Sequence, residues 1–471
     1  MASILWIVNK YIVGKKDEKF YPIFLKNIQE ELNKKGHQLS FVFFSQSFNE
    51  SVLSGNNYFY ELEKYSDRSF SDLQFEASRI EREYSFTFKQ AYFPDIIQTS
   101  KNVRKIDVPE KKLNDLNHLI GRFIFLENLV LSKNFDAIFS DVCPEAEMEF
   151  GRAIGHKHQK LVLKSSEGSA FGRTIFLQQF EFGKERLVEA IYNINFKYDD
   201  AVKFCEDYIK NKRAPYTFAQ KYSEKYSIKS RLLNRLKKRD FFYPISYLKR
   251  QLFNFYLWGE QTFIKPIIRD KYNPNVPNIF LGFHLNLEST MVLRSMPYVN
   301  QTVLIEMISR VLPFGHILYI REHPHWPKTF PARYLFKAKQ FPNVRLISDK
   351  ISIHKIIQNA NGILTYNATT GIESLIYGKP VLSFAPNIYY THHPAVDFCS
   401  NLFELGVKLT ELINKDVAKE DTYKFIQKIM QVSNELEEIG SYCILSEKDA
   451  EYKAIKFSTH LVSAINWCEN N

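Results

Sequence analysis

From Ile279 onward the chain alternates short apolar runs with helix-length spacers, and that rhythm leaves few folds open. Ile279–His284, His316–Glu322, Val344–Ile347, Gly362–Tyr366 and Val381–Phe384 are short, apolar and partly β-branched, the marks of buried strands. Between them, Val299–Val311, Tyr334–Gln340, Ser352–Asn359 (with Ser352 as N-cap) and Ile372–Tyr377 read as helices. A helical crossover after each strand brings the next one in parallel, so the expected product is a doubly wound sheet.

The N-terminal half shows the same rhythm less regularly. Ser3–Val8, a helix over Phe20–Lys35 closed by Gly36, and Gln38–Phe44 make a strand–helix–strand unit. Tyr58–Tyr92 is mostly helical, and Lys111–Ser132 is an amphipathic helix with Leu113, Leu116, Ile120, Phe123 and Leu126 on one stripe. Ala137–Ser140 is a buried strand, followed by a helix through Ile154 and a strand at Leu161–Leu163. The turn after the first strand, NKYIVGKKDEK, carries no glycine fingerprint, which argues against a dinucleotide there.

At 471 residues, two domains are expected. Residues 1–275 read as an N-terminal Rossmann-like acceptor domain with a helical, basic, strandless insertion over about 181–272. Tyr272–Asn278, rich in Pro and Asn, reads as the linker. Residues 276–471 read as a C-terminal Rossmann-like nucleotide-sugar domain ending in helices at Val417–Glu438 and Glu447–Trp467. The expected fold class is therefore α/β, two Rossmann-like domains facing a cleft, with C-terminal helices.

No apolar run reaches the ~18 residues of a membrane-spanning helix, and the charges of the N-terminus follow its apolar stretch rather than precede it. The five cysteines are scattered without metal-ligand spacing, as in a reduced, cytoplasmic protein. The net charge of +11 is concentrated between Lys221 and Arg250, where ten Lys or Arg face only Glu224 and Asp240. Aromatics such as Phe241, Phe242, Tyr243 and Tyr247 accompany this run. The mixture suits adsorption to an anionic membrane surface at the inner face of the cell membrane, and equally a solvated helix pair. No nucleic-acid motif is present, so nucleic acid is not an expected partner.

The chemistry gathers at strand ends. After Gly362–Tyr366 comes the polar loop Asn367-Ala368-Thr369-Thr370-Gly371, then a helix stopped by Gly378 and Pro380. Free backbone N–H groups and hydroxyls at such a loop suit a phosphate. Thr370 and Glu373 also fit a capping box, which would account for both as helix-start residues. Glu373 alternatively holds ribose hydroxyls. Ile317–Pro324 delivers Arg321, Glu322 and His323 at a strand's carboxyl end, where ligands bind in open α/β sheets. There His323 can donate to the departing phosphate, provided that this strand neighbours the one before the Thr loop.

Glu288, past the strand Ile279–His284, is placed for sugar or base, or simply starts a helix. Asp141, after Ala137–Ser140, is placed as catalytic carboxylate or as an N-cap. Ser165, Ser166, Glu167 and Arg173 could line the acceptor side, while His392 and His393 read as loop structure. With no Asp-x-Asp or HExxH pattern, a metal-independent reaction is expected, with no cofactor beyond a nucleotide sugar that is itself a substrate.

The span from about Ile279 to Tyr390 resembles the capsule polysaccharide biosynthesis family, GT-B glycosyltransferases related to bacterial Kdo transferases. The likeness is carried by FLGFHLNLEST, VLPFGHILYIREHP, FPNVRLIS and TYNATTGIESLIYGKPVLSFAPNIYY. Arg321-Glu322-His323-Pro324 stands where the family has Lys-Glu-His-Pro, and Thr369-Thr370-Gly371 matches its hydroxyl pair and glycine. Of the family's Gln-Pro-Glu only Glu288 carries over, because Asn286 and Leu287 replace the first two residues. The resemblance implies a CMP-activated, Kdo-like donor and a glycan or glycolipid acceptor in surface polysaccharide synthesis. Two other outcomes remain open: a sugar-nucleotide epimerase or CDP-polyol phosphotransferase of the same fold, or a non-catalytic membrane-associated partner protein.

Overall fold

The computed structural model describes residues 1–8, 20–44, 53, 56–61, 70–88, 91, 113–140, 146–180, 185–212, 252, 255–256, 259–284, 300–322, 332–366, 368–385, 389–436, 444 and 446–471. The first half gives β1 (Ser3–Ile7), α1 (Tyr21–Lys34), β2 (Gln38–Phe43), β3 (Tyr58–Phe59), α2 (Phe70–Tyr84) and α3 (Leu113–Lys133). It continues with β4 (Ala137–Ser140), α4 (Ala146–Lys157), β5 (Leu161–Ala170), β6 (Arg173–Gln179), β7 (Glu185–Leu187) and α5 (Tyr198–Asn211). Its seven strands form one sheet in the order β3-β2-β1-β4-β5-β6-β7, parallel through β5 and antiparallel beyond.

Two parts of this sheet differ from the sequence expectation. β5 continues to Ala170 rather than ending at Leu163, and turns through Phe171 and Gly172, both at positive φ, into β6. β7 lies inside the stretch expected to be strandless. β6 was not expected either, because four consecutive buried residues remove the alternation that marks a strand.

The second half opens with a π-helical turn, Glu260–Ile264, that runs into α6 (Lys265–Ile268). Then follow β8 (Asn278–Gly282), α7 (Gln301–Val311), β9 (Ile317–Arg321), α8 (Ala332–Lys339), β10 (Val344–Ile347), α9 (Ile353–Asn359) and β11 (Gly362–Thr365). After these come α10 (Thr370–Ile376), β12 (Val381–Ser383), β13 (Val396–Phe398), α11 (Leu405–Ile413), α12 (Lys419–Val432) and α13 (Glu447–Asn470). Six parallel strands run β10-β9-β8-β11-β12-β13. Counted within each half, both sheets have the order 3-2-1-4-5, which is the doubly wound arrangement. Both order reversals, β1/β4 and β8/β11, are therefore positions where strand ends open into a crevice.

The expected boundary at residue 275 divides the sequence but not the packing. α13, assigned to the second domain, packs against α1 on the first sheet, with Phe457 5.3 Å from the Trp6 ring and 5.6 Å from Phe139. Burying one such aromatic contributes about 1.5–3 kcal/mol. The return path is pinned where Thr174 N donates to Asn434 O at 2.9 Å and Asn434 N donates back to Thr174 O at 2.8 Å. Conversely, Ala201, Cys205 and Tyr208 of α5 join the core formed by Ile372, Leu375, Phe425 and Ile429. Ile268 enters the opposite face of the second sheet, and Asp270 pairs with Ile347. Helical periodicity reveals an apolar face; it does not say which sheet that face will cover.

Candidate functional site

β8 lies at the centre of the second sheet, with β9 on one side and β11 on the other. The strands carrying Arg321 and the Thr loop are thus separated by β8, not adjacent as required above. Both still deliver their carboxyl ends beside the reversal between β8 and β11. On the β8 side, His284 N donates to Gln301 Oε1 at 2.9 Å and Gln301 Nε2 donates to His284 O at 3.2 Å. This clasp ties the start of the β8 loop to the first residue of α7. On the β11 side, Tyr366 is fully buried and its ring meets that of His284 edge-on at 6.4 Å.

The Thr loop is fastened from within. Thr365 Oγ1 accepts from Ala368 N at 3.3 Å, Ser383 Oγ donates to Tyr366 O at 3.2 Å, and Tyr390 Oη donates to Ala368 O at 2.8 Å. Its helix ends as expected: Gly378, at φ +67, donates to Leu375 O and Lys379 N donates to Ser374 O, a Schellman closure. Its start does not follow the expectation. Thr369 occupies the N-cap in helical conformation, and no side chain caps the helix. The capping box of Thr370 and Glu373 is absent, and the Gly371 N–H donates to Ala368 O at 3.1 Å, so it is not free for an anion. Thr369 and Thr370 are both partly exposed; the Thr369 hydroxyl faces Glu373, and that of Thr370 remains for a ligand.

Without the box, Glu373 needs another explanation. It is 2% exposed, and neither carboxylate oxygen makes a hydrogen bond of ordinary geometry. Burial raises its pKa, opposed by the Thr369 and Tyr208 hydroxyls and by the Arg321 guanidinium. Arg321 is itself buried: Nη1 donates to Ile351 O at 2.7 Å, while Nε has no partner. Desolvation pulls it down to about 10, against the attraction of Glu373 and Asp349.

The expected substrate contact of Glu322 is replaced by an internal ion pair. Its Oε1 accepts from Lys265 Nζ at 2.5 Å, and Arg269 Nη2, 3.6 Å from Oε2, also pairs with Asp349 at 2.8 Å. Lys265 and Glu322 are both 2% exposed, so neither reaches a ligand. The pair instead anchors the end of β9, immediately before His323. Arg173, expected on the acceptor side, is engaged elsewhere: Nε donates to Ser433 Oγ at 2.6 Å and Nη2 to Ser433 O at 3.1 Å. Ser165 and Ser166 are buried within β5. His393 is buried loop structure, with Nδ1 accepting from Ala395 N at 3.0 Å.

His323, Glu288 and Asn367 lie outside the described residues, as do Asp141 and the basic run Lys221–Arg250. Glu288 belongs to the segment after β8, His323 directly follows Glu322, and Asp141 directly follows β4 beside the first sheet's own reversal. The reading of residues alone missed Tyr208, Tyr390, Arg269 and Asp349. For Tyr208 a signal existed, the i, i+4, i+7 stripe Ala201–Cys205–Tyr208, but it marks a buried face and not its partner.

The two doubly wound sheets define an α/β protein, and each order reversal is the kind of position where open α/β sheets bind ligands. Residues 297–392 match the model of a family described as capsule polysaccharide biosynthesis protein, so the resemblance drawn from the motifs holds over that segment. Comparison with curated proteins gives no significant match. Among solved structures, the chain is similar to the β-Kdo 2,4 transferase KpsC of Thermosulfurimonas dismutans, at 12% identity and TM-score 0.35, covering 62% of this chain and 79% of that one. It is also similar to the UDP-GlcNAc 2-epimerase of Methanocaldococcus jannaschii, at 12% identity and TM-score 0.26, covering 90% and 97%. A third likeness is to the glycosyltransferase VinC in complex with dTDP, at 11% identity and TM-score 0.26, covering 96% and 100%. These are likenesses of outline.

Proposed function

We propose that the protein is a glycosyltransferase that moves a sugar from a nucleotide-activated donor, CMP-linked and Kdo-like, to a surface glycan or glycolipid acceptor in capsule polysaccharide synthesis. One observation carries this reading. The loops after β8, β9 and β11, which hold the family's motifs, all leave the second sheet around its single order reversal, within or beside the matched segment. That is where an open α/β sheet binds nucleotides.

In this reading the Thr369–Gly371 loop holds the donor phosphate through the Thr370 hydroxyl and Asn367, because the Thr369 hydroxyl faces Glu373 and the Gly371 N–H is taken by Ala368 O. His323 donates to the same phosphate as it departs, stabilising the charge that develops there. Glu288 faces the sugar or base. Asp141, beyond β4, removes the acceptor hydroxyl proton or stabilises the sugar cation. Arg321 and Glu373 hold the loop and strand end from beneath, and Glu322 supports them through Lys265. The transfer uses no metal ion, consistent with the lack of an Asp-x-Asp sequence.

Among the described residues no helix is long and apolar enough to cross a membrane. We place the enzyme in the cytoplasm, adsorbed to the inner membrane face through Lys221–Arg250, where each cation near an anionic surface contributes about 1 kcal/mol. Salt-sensitive binding to phosphatidylserine vesicles tests that placement, and no binding at low salt removes it. The reaction is tested by a donor screen with CMP-, UDP- and GDP-sugars, read by nucleotide release and product mass. Release from a CMP-sugar with an acceptor-dependent product supports the proposal. An isomerised sugar nucleotide with no acceptor consumed contradicts it.

A further inference from the structure

We infer that Tyr208 is a positioning residue of the donor site, acting through Glu373 from a helix outside the second sheet's own strand–helix units. The inference rests on the donor reading given above. α5 precedes the second sheet by more than sixty residues, yet it packs on α10 and α12 and sets the Tyr208 hydroxyl facing the Glu373 carboxylate.

Polar groups from three elements are stranded at this one place. Tyr208 Oη, both Glu373 oxygens and Arg321 Nε are buried, and none makes a hydrogen bond of ordinary geometry. A buried polar atom without a partner is costly, so their coincidence asks for a reason beyond folding. The chemistry of the set supplies one. Tyr208, Arg321 and the Thr369 hydroxyl are donors, and all three face a single carboxylate that, when ionised, only accepts. An ionised Glu373 has acceptor positions enough for all three. Contacts of this kind are commonly long in a free enzyme and tighten when ligand is bound.

The consequence is a specific linkage. Glu373 joins the Thr loop, through Thr369, to the β9 end that carries Arg321 and precedes His323, and Tyr208 fixes Glu373 from the far side. Glu373 is too buried to touch a substrate, so its effect on the donor passes through Thr369 and Arg321. The ionisable groups facing it are Arg321 from β9, Tyr208 from α5, Tyr377 beyond α10, and Tyr389 from the turn after β12. His354 of α9 stands behind them, with Nδ1 2.9 Å from Tyr377 Oη and its ring 5.8 Å from that of Tyr208.

Tyr208→Phe keeps the ring in the core and deletes only the hydroxyl, so it separates positioning from packing. At acid pH, where Glu373 is protonated, the free variant should melt close to the wild-type temperature, because the ring still fills the core. CMP binding, read by calorimetry, should weaken about tenfold, the value of one hydrogen bond to a charged group. Glu373→Gln should weaken it similarly, and the double variant should bind no worse than either single, since both remove one contact. A second readout needs no ligand. Losing the hydroxyl should raise the Glu373 pKa, extending to higher pH the range over which stability depends on position 373. Wild-type CMP binding with unchanged binding in Tyr208→Phe overturns the inference and leaves the donor reading standing. Absence of binding by any nucleotide in the wild type overturns both.

Discussion

The Tyr390 ring lies directly against Gly371. A Cβ on the glycine would stand 2.5 Å from the ring carbons, while the hydroxyl of the same tyrosine donates to Ala368 O at 2.8 Å. One aromatic side chain therefore dictates both the residue type and the course of the Thr loop.

From this contact, Gly371→Ala should destabilise the protein by about 1–3 kcal/mol, since the ring is buried and has nowhere to retreat. The displaced loop should also lose nucleotide binding. Tyr390→Phe keeps the ring and should cost only about 1 kcal/mol. Urea denaturation of the two variants checks the order; equal stability of Gly371→Ala and wild type would refute the close contact.

Glu373 makes stability fall with pH. Its folded pKa is raised by burial, so the native state resists ionisation. As an acid with a raised pKa, it leaves stability greatest below the unfolded value and erodes it as pH rises through the interval up to the folded value. Glu373→Gln should therefore be more stable than wild type at neutral pH, with the difference shrinking on acidification. Denaturation curves across pH check this, and a constant difference would contradict it.

Lys265→Met strands the Glu322 carboxylate at 2% exposure, with Arg269, among the described residues, left to compensate from 3.6 Å. Breaking a buried pair from one side costs about 3–5 kcal/mol. Lys265→Met combined with Glu322→Leu should recover most of that loss. Melting temperatures of the three proteins decide; a double variant as unstable as the single would show that the charge is not the issue.

Burial pulls His393 down to about 4, with Nε2 3.3 Å from Thr422 Oγ1. The imidazole is thus neutral in the fold at neutral pH. Its depressed pKa leaves stability intact above the ordinary histidine value near 6.5, and stability declines as pH falls from there toward 4. His393→Gln, compared with wild type over that window, should show a shallower decline. Identical slopes would place the acid sensitivity elsewhere, His460 being another buried candidate.

The second sheet was legible because each of its elements announces itself locally. Apolar runs, Ser352 before α9, and Gly378 with Pro380 after α10 are signals within a few residues of the structure they cause. The loops around the site were legible for the same reason. What sequence could not show is long-range. Thr370 and Glu373 have the spacing of a capping box, yet the carboxylate turns inward toward Tyr208 and Arg321, contributed by elements 165 and 52 residues away. Glu322 looked like a ligand contact because nothing local reveals that Lys265 lies over it. β6 was hidden by burial on both faces, β7 by its three-residue length with Glu185 and Arg186 partly exposed, and the packing of α5 and α13, though not their helicity, by crossing to the sheet of the other half.

The central claim is that the strand ends around the β8/β11 reversal bind a nucleotide through the Thr369–Gly371 loop and His323. Thermal unfolding of wild type and His323→Ala with and without CMP tests it most directly. The expected result is a CMP-dependent rise in the wild-type melting temperature that is lost or strongly reduced in His323→Ala. No rise with any nucleotide, or the same rise in both proteins, would contradict it.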